Sequence, residues 1–417
     1  MARTFRTRPW LFIVSALLAI ATVGFPSLVV AEVKDASGLY VPDPNPGAHD
    51  QIVDLHRNGQ HADAKRIETL IETPQAVWFT KGTPEDVGRS VAITIKRAKH
   101  ALPVLVAYNI PGRDCANLSA GGATTTAEYV AWIDAFAAGI GSAEAIVILE
   151  PDSLGLLPSN CGAGFPFTDT QRFIELNHAV DVLAALPNAR VYLDATHSAW
   201  LNVGDITSRL VQAGVSRADG FYLNASNYQF SANLVQYGTW ISSCIALGPG
   251  ADCPNQYWNG GPLPSLLAQL YGEWNGVALS NYGEWSDTTT VQNLNTSAIN
   301  LRYANALGAA SPTTHFVIDT SRNGVGPWAP PAYPDPQDWC NPPDRGAGLR
   351  PTLDTGVPLL DAYLWIKIPG ESDGSCARGL GPAGTTVDPE WGLIDPAAGQ
   401  WFPEMALQLA RNAVSGP

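Results

Sequence analysis

Short apolar runs alternate with longer amphipathic stretches through most of the chain. Seven runs have the length and composition of buried strands: 76–79, 103–110, 145–149, 190–193, 220–223, 315–318 and 362–366. Between them, helical periodicity appears at 50–71, 83–100, 126–138, 169–186, 205–213 and 296–307. Strands that alternate with helices form parallel sheets through right-handed crossovers. We therefore predict an α/β fold built on a distorted, seven-stranded, parallel (β/α) barrel-like sheet.

The competing architecture is an open, doubly wound sheet. Its usual marker, a Gly-x-Gly-x-x-Gly turn after the first strand, is missing after Phe79. Two segments break the alternation: 228–290 holds four tryptophans and many glycines, and 324–351 is rich in proline and glycine. We interpret both as long loops, and the first as an insertion within a single domain. Loops of this length often line or cover a site.

Polar clusters follow six of the predicted strands at their carboxyl ends. They begin at Tyr108, Glu150, Asp194, Asn224, Asp319 and Lys367. Because the carboxyl ends of parallel strands meet at one face, we expect these clusters to build one site. The acids among them are Asp114, Glu150, Asp152, Asp194, Asp319, Glu371 and Asp373. Carboxylates packed together cannot all ionise normally, so one can keep its proton and serve as a general acid, as glycosidic bond cleavage requires.

The N-terminal residues 1–31 have the pattern of a secretory signal. Three arginines precede the apolar stretch 10–25, and Val29-Val30-Ala31 offers a small-residue cleavage site. The alternative is an uncleaved membrane anchor, but this stretch is shorter than the roughly 20 residues that span a bilayer. We predict that residues 32–417 form one secreted domain, free of the membrane after cleavage.

Charge narrows the possible partners. Of the 24 Lys and Arg residues, three fall in the predicted signal, which leaves 21 against 38 Asp and Glu and a net charge near −17. Such a chain is a poor partner for nucleic acid or an anionic membrane, whereas a neutral polymer is compatible. The thirteen tryptophans favour a carbohydrate partner, because the apolar faces of sugar rings stack on indole. Trp132 and Trp365 are the exceptions, which we assign to the core.

Six cysteines in an exported chain predict three disulfides, although sequence alone permits 15 pairings. Their positions next to predicted strands and loops favour Cys115 with Cys161, Cys244 with Cys253, and Cys340 with Cys376. A metal site is the alternative. The cysteines show no Cys-x-x-Cys spacing and the seven histidines form no His-Glu-x-x-His pair, so we expect no metal and no cofactor.

Six motifs, in order along the chain, resemble those of glycoside hydrolase family 6. They are Tyr108-Asn-Ile-Pro-Gly-Arg-Asp-Cys115, Leu149-Glu-Pro-Asp-Ser-Leu154, Tyr192-Leu-Asp-Ala-Thr-His-Ser-Ala-Trp200, Asp319-Thr-Ser-Arg-Asn-Gly324, Trp339-Cys-Asn341 and Trp365-Ile-Lys-Ile-Pro-Gly-Glu-Ser-Asp-Gly374. The resemblance runs from about residue 76 to the C terminus. It implies an inverting β-1,4-glucanase, either an endoglucanase or a cellobiohydrolase.

The resemblance also implies roles for the residues nearest the reaction. Asp152 matches the general acid, although on its own it could be a helix N-cap. Asp114 matches the neighbouring aspartate that sustains the raised pKa of the acid; on its own it could form a surface ion pair with Arg113. Tyr108 matches the tyrosine beneath the distorted sugar. Asp194 matches a supporting aspartate that we expect to pair with Arg113.

The catalytic base is left open by the resemblance. Asp373 occupies the position proposed for it, but an alternative mechanism passes the proton of water along solvent and a loop serine. That serine would stand at position 120, where this chain has Ala120, with Ser119 one place earlier.

Seven further residues match sugar-binding positions of the family: Trp78, His197, Trp200, Asn224, Trp339, Lys367 and Glu371. Lys367 and Glu371 could instead form an internal salt bridge, and His197 could be a core histidine. Two of the expected disulfides, Cys115 with Cys161 and Cys340 with Cys376, correspond to loop disulfides of the family.

Loop lengths favour an endoglucanase. Cellobiohydrolases of this family roof the site with two long loops, whereas the spans 114–161 and 340–376 look like the shorter type. Processive members also carry a second tryptophan three residues after the one matched by Trp200, where this chain has Val203. We expect a monomer that binds cellulose or a related β-glucan; a cellobiohydrolase and a non-catalytic carbohydrate-binding protein are the alternatives.

Overall fold

The computed structural model describes residues 38–257 and 278–414. Its strands are β1 (Val77–Phe79), β2 (Val104–Ala107), β3 (Ala145–Leu149), β4 (Ala189–Asp194), β5 (Gly220–Leu223), β6 (His315–Asp319) and β7 (Leu360–Leu364). Its α-helices are α1 (Pro46–Arg57), α2 (His61–Ile71), α3 (Pro84–Ala98), α4 (Thr126–Ile140), α5 (Asp169–Ala184), α6 (Val203–Gln212), α7 (Ser231–Leu247), α8 (Ser297–Leu307) and α9 (Pro403–Arg411). The predicted signal peptide lies outside the described residues.

The seven strands form one parallel sheet in the order of the chain, β1 to β7. The sheet curls, because the chain beside β1 meets the chain after β7. There the N–H of Ala76 donates to the carbonyl of Trp365 at 2.9 Å, and the indole N–H of Trp78 donates to the carbonyl of Ile366 at 2.7 Å. The predicted barrel-like α/β fold is confirmed, and the open sheet is excluded.

Both faces of the sheet are buried, which explains the almost continuous apolar runs. In β2, Leu105 and Ala107 pack with the surrounding helices. Val104 and Val106 point the other way, into a second cluster inside the curl that also holds Tyr222. Alternate side chains of a strand point to opposite faces, so each strand contributes to both clusters and its carboxyl end is held rigidly at the rim.

Several helix boundaries follow from local signals. Thr83 caps α3 in a capping box with Asp86, at the predicted start of this helix. The predicted helix at 50–71 is wrong in one respect: it divides into α1 and α2, because Gly59 takes a left-handed φ of 72° between them.

The reading of 228–290 as loop is also wrong, because α7 occupies residues 231–247. The helix has no charged residue and no side-chain N-cap bond, and it is buried on most sides. It therefore lacks the polar face from which a helix is normally recognised. The C-terminal α9 was not predicted either. Strand β7 lies two residues before its predicted position, and β2 ends at Ala107 rather than at residue 110.

The three predicted disulfides are present: Cys115 with Cys161, Cys244 with Cys253, and Cys340 with Cys376. The first and third close long segments next to strand ends, and the second joins the end of α7 to the segment after it. Among the described residues, no helix combines the length and apolarity needed to cross a membrane.

Buried carboxylates at strand ends hold the loops that follow neighbouring strands. Glu150, after β3, accepts the backbone N–H groups of Asn109 (2.9 and 3.1 Å to its two oxygens) and Ile110 (2.9 Å) from the loop after β2. Asp194, at the end of β4, likewise accepts the N–H groups of residues 154–155 from the loop after β3. Each loop is thus fixed by the acid of the next strand.

Asp319, at the end of β6, is the most heavily bonded of these acids. It is fully buried and accepts four backbone N–H groups at 2.9–3.1 Å, from Ser226, Ser321, Ile366 and Lys367. The four donors belong to loops after β5, β6 and β7. One side chain therefore joins three adjacent loops.

We expect Asp319→Asn to lower the free energy of unfolding by about 2–5 kcal/mol. An asparagine has one carbonyl oxygen, so the two N–H groups on the other side lose their acceptor and face an NH₂ group, at roughly 1–3 kcal/mol each. Thermal unfolding measures the change. The control is Asp50→Asn at an exposed position on α1, which should leave the midpoint within about a degree; equal midpoints for both variants would contradict the bracing role.

Candidate active site

A cavity of about 440 Å³ opens at the carboxyl ends of the strands, within the range of roughly 300–1,000 Å³ typical of ligand sites. Nine predicted site residues line it: Trp78, Tyr108, Asp114, Asp152, His197, Trp200, Trp339, Lys367 and Asp373. Sequence reasoning gave no role to several others that line it, among them Asn117, Ser119, Ser226, Tyr228, Gln229, Asn281 and Asp338. The polar clusters of separate strands thus converge, as expected for a parallel sheet.

Asp152 lies in the turn after β3 and is half-buried. Burial raises the pKa of its carboxyl well above the ordinary value, and the negative charges of Asp194 and Asp114 raise it further; a hydrogen bond from Tyr108 acts in the opposite direction. A raised pKa favours the protonated form of this carboxyl, which is the form that can act as a general acid. The N-cap alternative fails, because the residues after Asp152 form turns rather than an α-helix.

The backbone around this acid is strained. Glu150 and Asp152 have φ values of 48° and 67°, and Asp114 in the neighbouring loop has 56°. Residues other than glycine seldom take these left-handed conformations, and when they do they cluster at functional sites. Here the surrounding hydrogen bonds hold them: Arg172 donates to the carbonyls of Ser153 (2.8 Å) and of two other loop residues.

Asp114 faces the cavity from the loop after β2. Burial raises the pKa of its carboxyl, and the backbone N–H of Ser119, which donates to it at 2.7 Å, lowers it. The disulfide of Cys115 closes the same loop. Ser119 also lines the cavity, while Ala120, at the position of the family's serine, is not part of the lining. A serine therefore reaches the site from one residue earlier than the family pattern places it.

The expected ion pair between Arg113 and Asp194 is wrong. The guanidinium of Arg113 lies 4.4 Å over the ring of Tyr108 and donates to backbone carbonyls, including those of Tyr108 and Ser119. Asp194 uses its oxygens for backbone N–H groups, including that of Thr196 at 2.9 Å. Burial raises the pKa of Asp194 to about 6. Arg113 also makes no ion pair with Asp114 in the described structure.

Asp373 has a different environment from the other acids. Its Oδ2 accepts hydrogen bonds from Arg322 (Nη1, 2.9 Å), the backbone N–H of Asn341 (3.1 Å) and the hydroxyl of Tyr228 (3.3 Å). Its Oδ1 lies 3.8 Å from the Nζ of Lys367. One oxygen is thus fully engaged, and two cations balance the charge. Arg322 belongs to the polar cluster that begins at Asp319, and the sequence analysis predicted no role for it.

Three tryptophans and a histidine contribute apolar surface to the cavity. Trp78 packs edge-on against Tyr108, with ring centroids 5.4 Å apart, and Trp339 is 37% exposed. His197 lies against Trp200 at 5.6 Å. Burial lowers the pKa of His197 to about 3, so the imidazole is neutral. Its Nδ1 accepts the N–H of Ala199 at 3.2 Å, which leaves Nε2 carrying the proton and able to donate.

Trp132 and Trp365 are buried, as expected of core residues. Two predicted sugar-binding residues lie outside the cavity lining. Asn224 is fully buried and donates to the carbonyl of Asp319 at 2.8 Å, so it holds backbone beneath the site. Glu371 accepts a hydrogen bond from Asn45 at 3.0 Å and forms no salt bridge with Lys367 in the described structure.

A parallel barrel-like sheet whose strand ends gather a carboxyl of raised pKa, further carboxylates and tryptophans has the groups that a glycoside hydrolase requires. The comparison with family profiles agrees: "Glycosyl hydrolases family 6" matches residues 34–247 and 266–413. The chain belongs to this family. Within the predicted insertion, the profile leaves only 248–265 unmatched.

Named relatives include both modes of action. The chain is 34% identical over 381 residues to endoglucanase A of Cellulomonas fimi, covering 89% of this chain and 62% of that protein. It is 29% identical over 374 residues to a probable 1,4-β-D-glucan cellobiohydrolase C of Neosartorya fischeri, covering 84% of this chain and 71% of that protein. The chain thus spans less than two thirds of the length of the first relative.

Among solved structures, the endoglucanase Cel6 of Mycobacterium tuberculosis superposes with a TM-score of 0.62 at 33% identity. The match covers 90% of this chain and 96% of that one. That structure contains a methyl-cellobiosyl-4-deoxy-4-thio-β-D-cellobioside.

We expect Asp152→Asn to raise the thermal midpoint at pH 7, by on the order of a few degrees, and to leave it unchanged at pH 3. A carboxyl with a raised folded pKa costs stability as pH rises from the unfolded value of about 3.9 through the folded value. Asparagine mimics the protonated form and removes that cost, while its carbonyl still accepts from Tyr108. Scanning calorimetry at both pH values measures it; an unchanged or lower midpoint at pH 7 would contradict a proton held on Asp152.

Proposed function

We propose that this chain is a secreted, inverting β-1,4-glucanase that cuts internal bonds of cellulose or a related β-glucan. The observation that carries the proposal is the position of Asp152, a carboxyl with a raised pKa that shares a tryptophan-lined cavity with Asp114 and Asp373. In this mechanism Asp152 protonates the departing glycosidic oxygen. Water attacks the opposite face of the sugar, and the surrounding carboxylates stabilise the oxocarbenium-like transition state.

The proton of the attacking water takes a solvent route in this proposal rather than moving directly to Asp373. The Oδ2 of Asp373 already accepts three hydrogen bonds, and cations lie beside both of its oxygens. Asp114 and Ser119 line the same cavity, and the backbone N–H of Ser119 holds the Asp114 carboxyl in place at 2.7 Å. In this proposal solvent carries the proton to the Asp114 carboxylate, while Asp373 stays bonded to its own partners.

The aromatic residues hold the glucan chain. Trp78, Trp200 and Trp339 offer surfaces for stacking on the apolar faces of glucosyl residues. Lys367 and the Nε2 of His197 can donate hydrogen bonds to sugar hydroxyls. We assign no direct sugar contact to Asn224 or Glu371, because neither lines the cavity.

Internal cutting is favoured by the exposure of the residues around the cavity. Trp339 is more than a third exposed, and Asp338, Asn117 and Ala120 are exposed as well. If these loops formed the roof of a tunnel around the glucan chain, their side chains would be covered rather than exposed. A cellobiohydrolase is the second candidate, because a probable cellobiohydrolase is also among the relatives.

The rest of the proposal concerns the whole protein. Residues 1–31 act as a cleaved signal and 32–417 form one catalytic domain, which acts as a monomer. The three disulfides suit an oxidising, extracellular compartment.

We expect Asp152→Ala to lower hydrolysis of carboxymethylcellulose by at least about 10³-fold while cellohexaose binding is retained, since general acid catalysis alone contributes about 10²–10⁴-fold. Release of reducing ends measures activity and calorimetry measures binding. Asp50→Asn, remote from the cavity lining, serves as the control and should match the wild type. Full activity in Asp152→Ala would refute the acid assignment, and an inactive wild type that binds glucan would indicate a carbohydrate-binding protein.

Exhaustive chelation should leave the wild-type rate unchanged, because the proposed mechanism uses carboxyl groups and no metal ion. A loss of activity that added metal restores would indicate a metal-dependent hydrolase.

We expect the viscosity of carboxymethylcellulose and of barley β-glucan to fall well before appreciable reducing sugar is released. Each internal cut halves a long chain, on average, whereas removal of cellobiose from an end barely shortens it. Viscometry paired with a reducing-sugar assay tests this. Near-exclusive release of cellobiose with little early loss of viscosity would favour the cellobiohydrolase instead.

A further inference from the structure

Exposed aromatic side chains are confined to a few positions in the described part of the chain. Three are more than a third exposed: Tyr257 (42%), Tyr282 (52%) and Trp339 (37%). Trp339 lines the cavity, and Asn281, the neighbour of Tyr282, does so too. The hydroxyl of Tyr257 donates to the carbonyl of Trp200 at 3.3 Å, and Trp200 is part of the cavity wall. Trp339 is therefore part of the lining, while Tyr257 and Tyr282 are each linked to a lining residue, Tyr257 by its hydrogen bond and Tyr282 as a chain neighbour.

Tyr257 belongs to the segment that the family profile does not match, 248–265. Its described part, up to Tyr257, contains no helix or strand, yet contacts hold it on several sides. Cys253 is joined to Cys244 at the end of α7, and the hydroxyl of Tyr303 on α8 donates to the carbonyl of Pro254 at 2.7 Å. The described part of the segment, residues 248–257, is therefore held in place by a disulfide and a hydrogen bond.

Gln256, the residue before Tyr257, attaches the segment to the cavity wall. It is fully buried, and its Nε2 donates to the carbonyls of Ser198 (3.0 Å) and Leu201 (2.9 Å). These two residues flank Trp200 in the loop that also carries His197. The additional segment and the loop that contributes Trp200 thus form one surface.

We propose that Tyr257 is an outer sugar-binding platform, which takes a glucosyl residue of the glucan chain beyond the one that stacks on Trp200. The ring is exposed while its hydroxyl is anchored, so its position is fixed before the sugar arrives. Such preorganisation reduces the entropy lost on binding, and an exposed ring anchored to Trp200, which lines the cavity, suits the apolar face of a pyranose. The proposal rests on the proposed function for the identity of the ligand.

Tyr257→Ala should act according to the length of the substrate. We expect the kcat/KM for cellohexaose to fall about five- to tenfold, while that for cellotetraose stays within about twofold of the wild type. Only a chain that extends past Trp200 loses a contact. Tyr257→Phe keeps the ring and removes only the anchoring hydroxyl, so we expect it to lose less than Tyr257→Ala on cellohexaose and to match the wild type on cellotetraose. Thermal midpoints establish that both variants are folded.

Two kinetic outcomes would overturn the platform. An equal loss on both oligosaccharides would mean that Tyr257 only holds the Trp200 loop in place through its hydrogen bond. An unchanged rate on cellohexaose would mean that the ring meets no sugar.

Binding separates failure of this inference from failure of the proposed function. Calorimetric titration of cellotetraose and cellohexaose into Asp152→Asn, with and without Tyr257→Ala, needs no turnover. If the wild type cleaves nothing but Tyr257→Ala still weakens cellohexaose binding selectively, the platform stands and the proposed catalysis fails. If neither oligosaccharide binds, both proposals fail.

Discussion

The site depends on buried carboxylates that accept hydrogen bonds from backbone N–H groups of the loops. Glu150, Asp194 and Asp319 lie at the ends of strands β3, β4 and β6, and each accepts N–H groups from loops that belong to other strands. Loop backbone at the rim of a parallel sheet has few partners of its own, and an unpaired buried N–H costs roughly 1–3 kcal/mol. These acids satisfy the loops and fix them at once. The strained conformations at Asp114 and Asp152 persist because their loops cannot relax.

The same bonds oppose the effect of burial on the pKa of the acids that make them. Glu150 and Asp194 are buried, and burial raises the pKa of each, but backbone N–H groups oppose the shift, so the values are about 7 and about 6. Asp373 has Arg322 beside it instead. In the described structure no backbone N–H reaches the carboxyl of Asp152, which has only the hydroxyl of Tyr108 to oppose burial and its negative neighbours. Among the acids that line the cavity, Asp152 is the one whose pKa is raised well above the ordinary value, which suits it to hold and donate a proton.

Local patterns predicted the strands better than the contacts between them. Strands β3 and β5 have the predicted bounds, because polar residues end each short apolar run. Helix α7 was missed since it has no polar face. The partners of Arg113 and the burial of Asn224 could not be predicted, because an arginine or an asparagine can serve a backbone carbonyl as well as a carboxylate or a sugar. Only the three-dimensional arrangement of the loops decides between them.

The acids at the strand ends and the segments around the cavity opening are held by different interactions. The residues that carry out catalysis can therefore change independently of those that bind the outer part of the glucan chain. Long-range hydrogen bonds to strand ends fix the acids, so a change there disturbs several loops together. The rim segments are closed by disulfides and by contacts such as those of Gln256 with the Trp200 loop. A disulfide stabilises the segment that it closes mainly by lowering the conformational entropy of the unfolded chain. A segment such as residues 248–257, which carries Tyr257, can therefore add an aromatic ring near Trp200 without altering the electrostatics around Asp152, so substrate length and acid strength can vary independently in this fold.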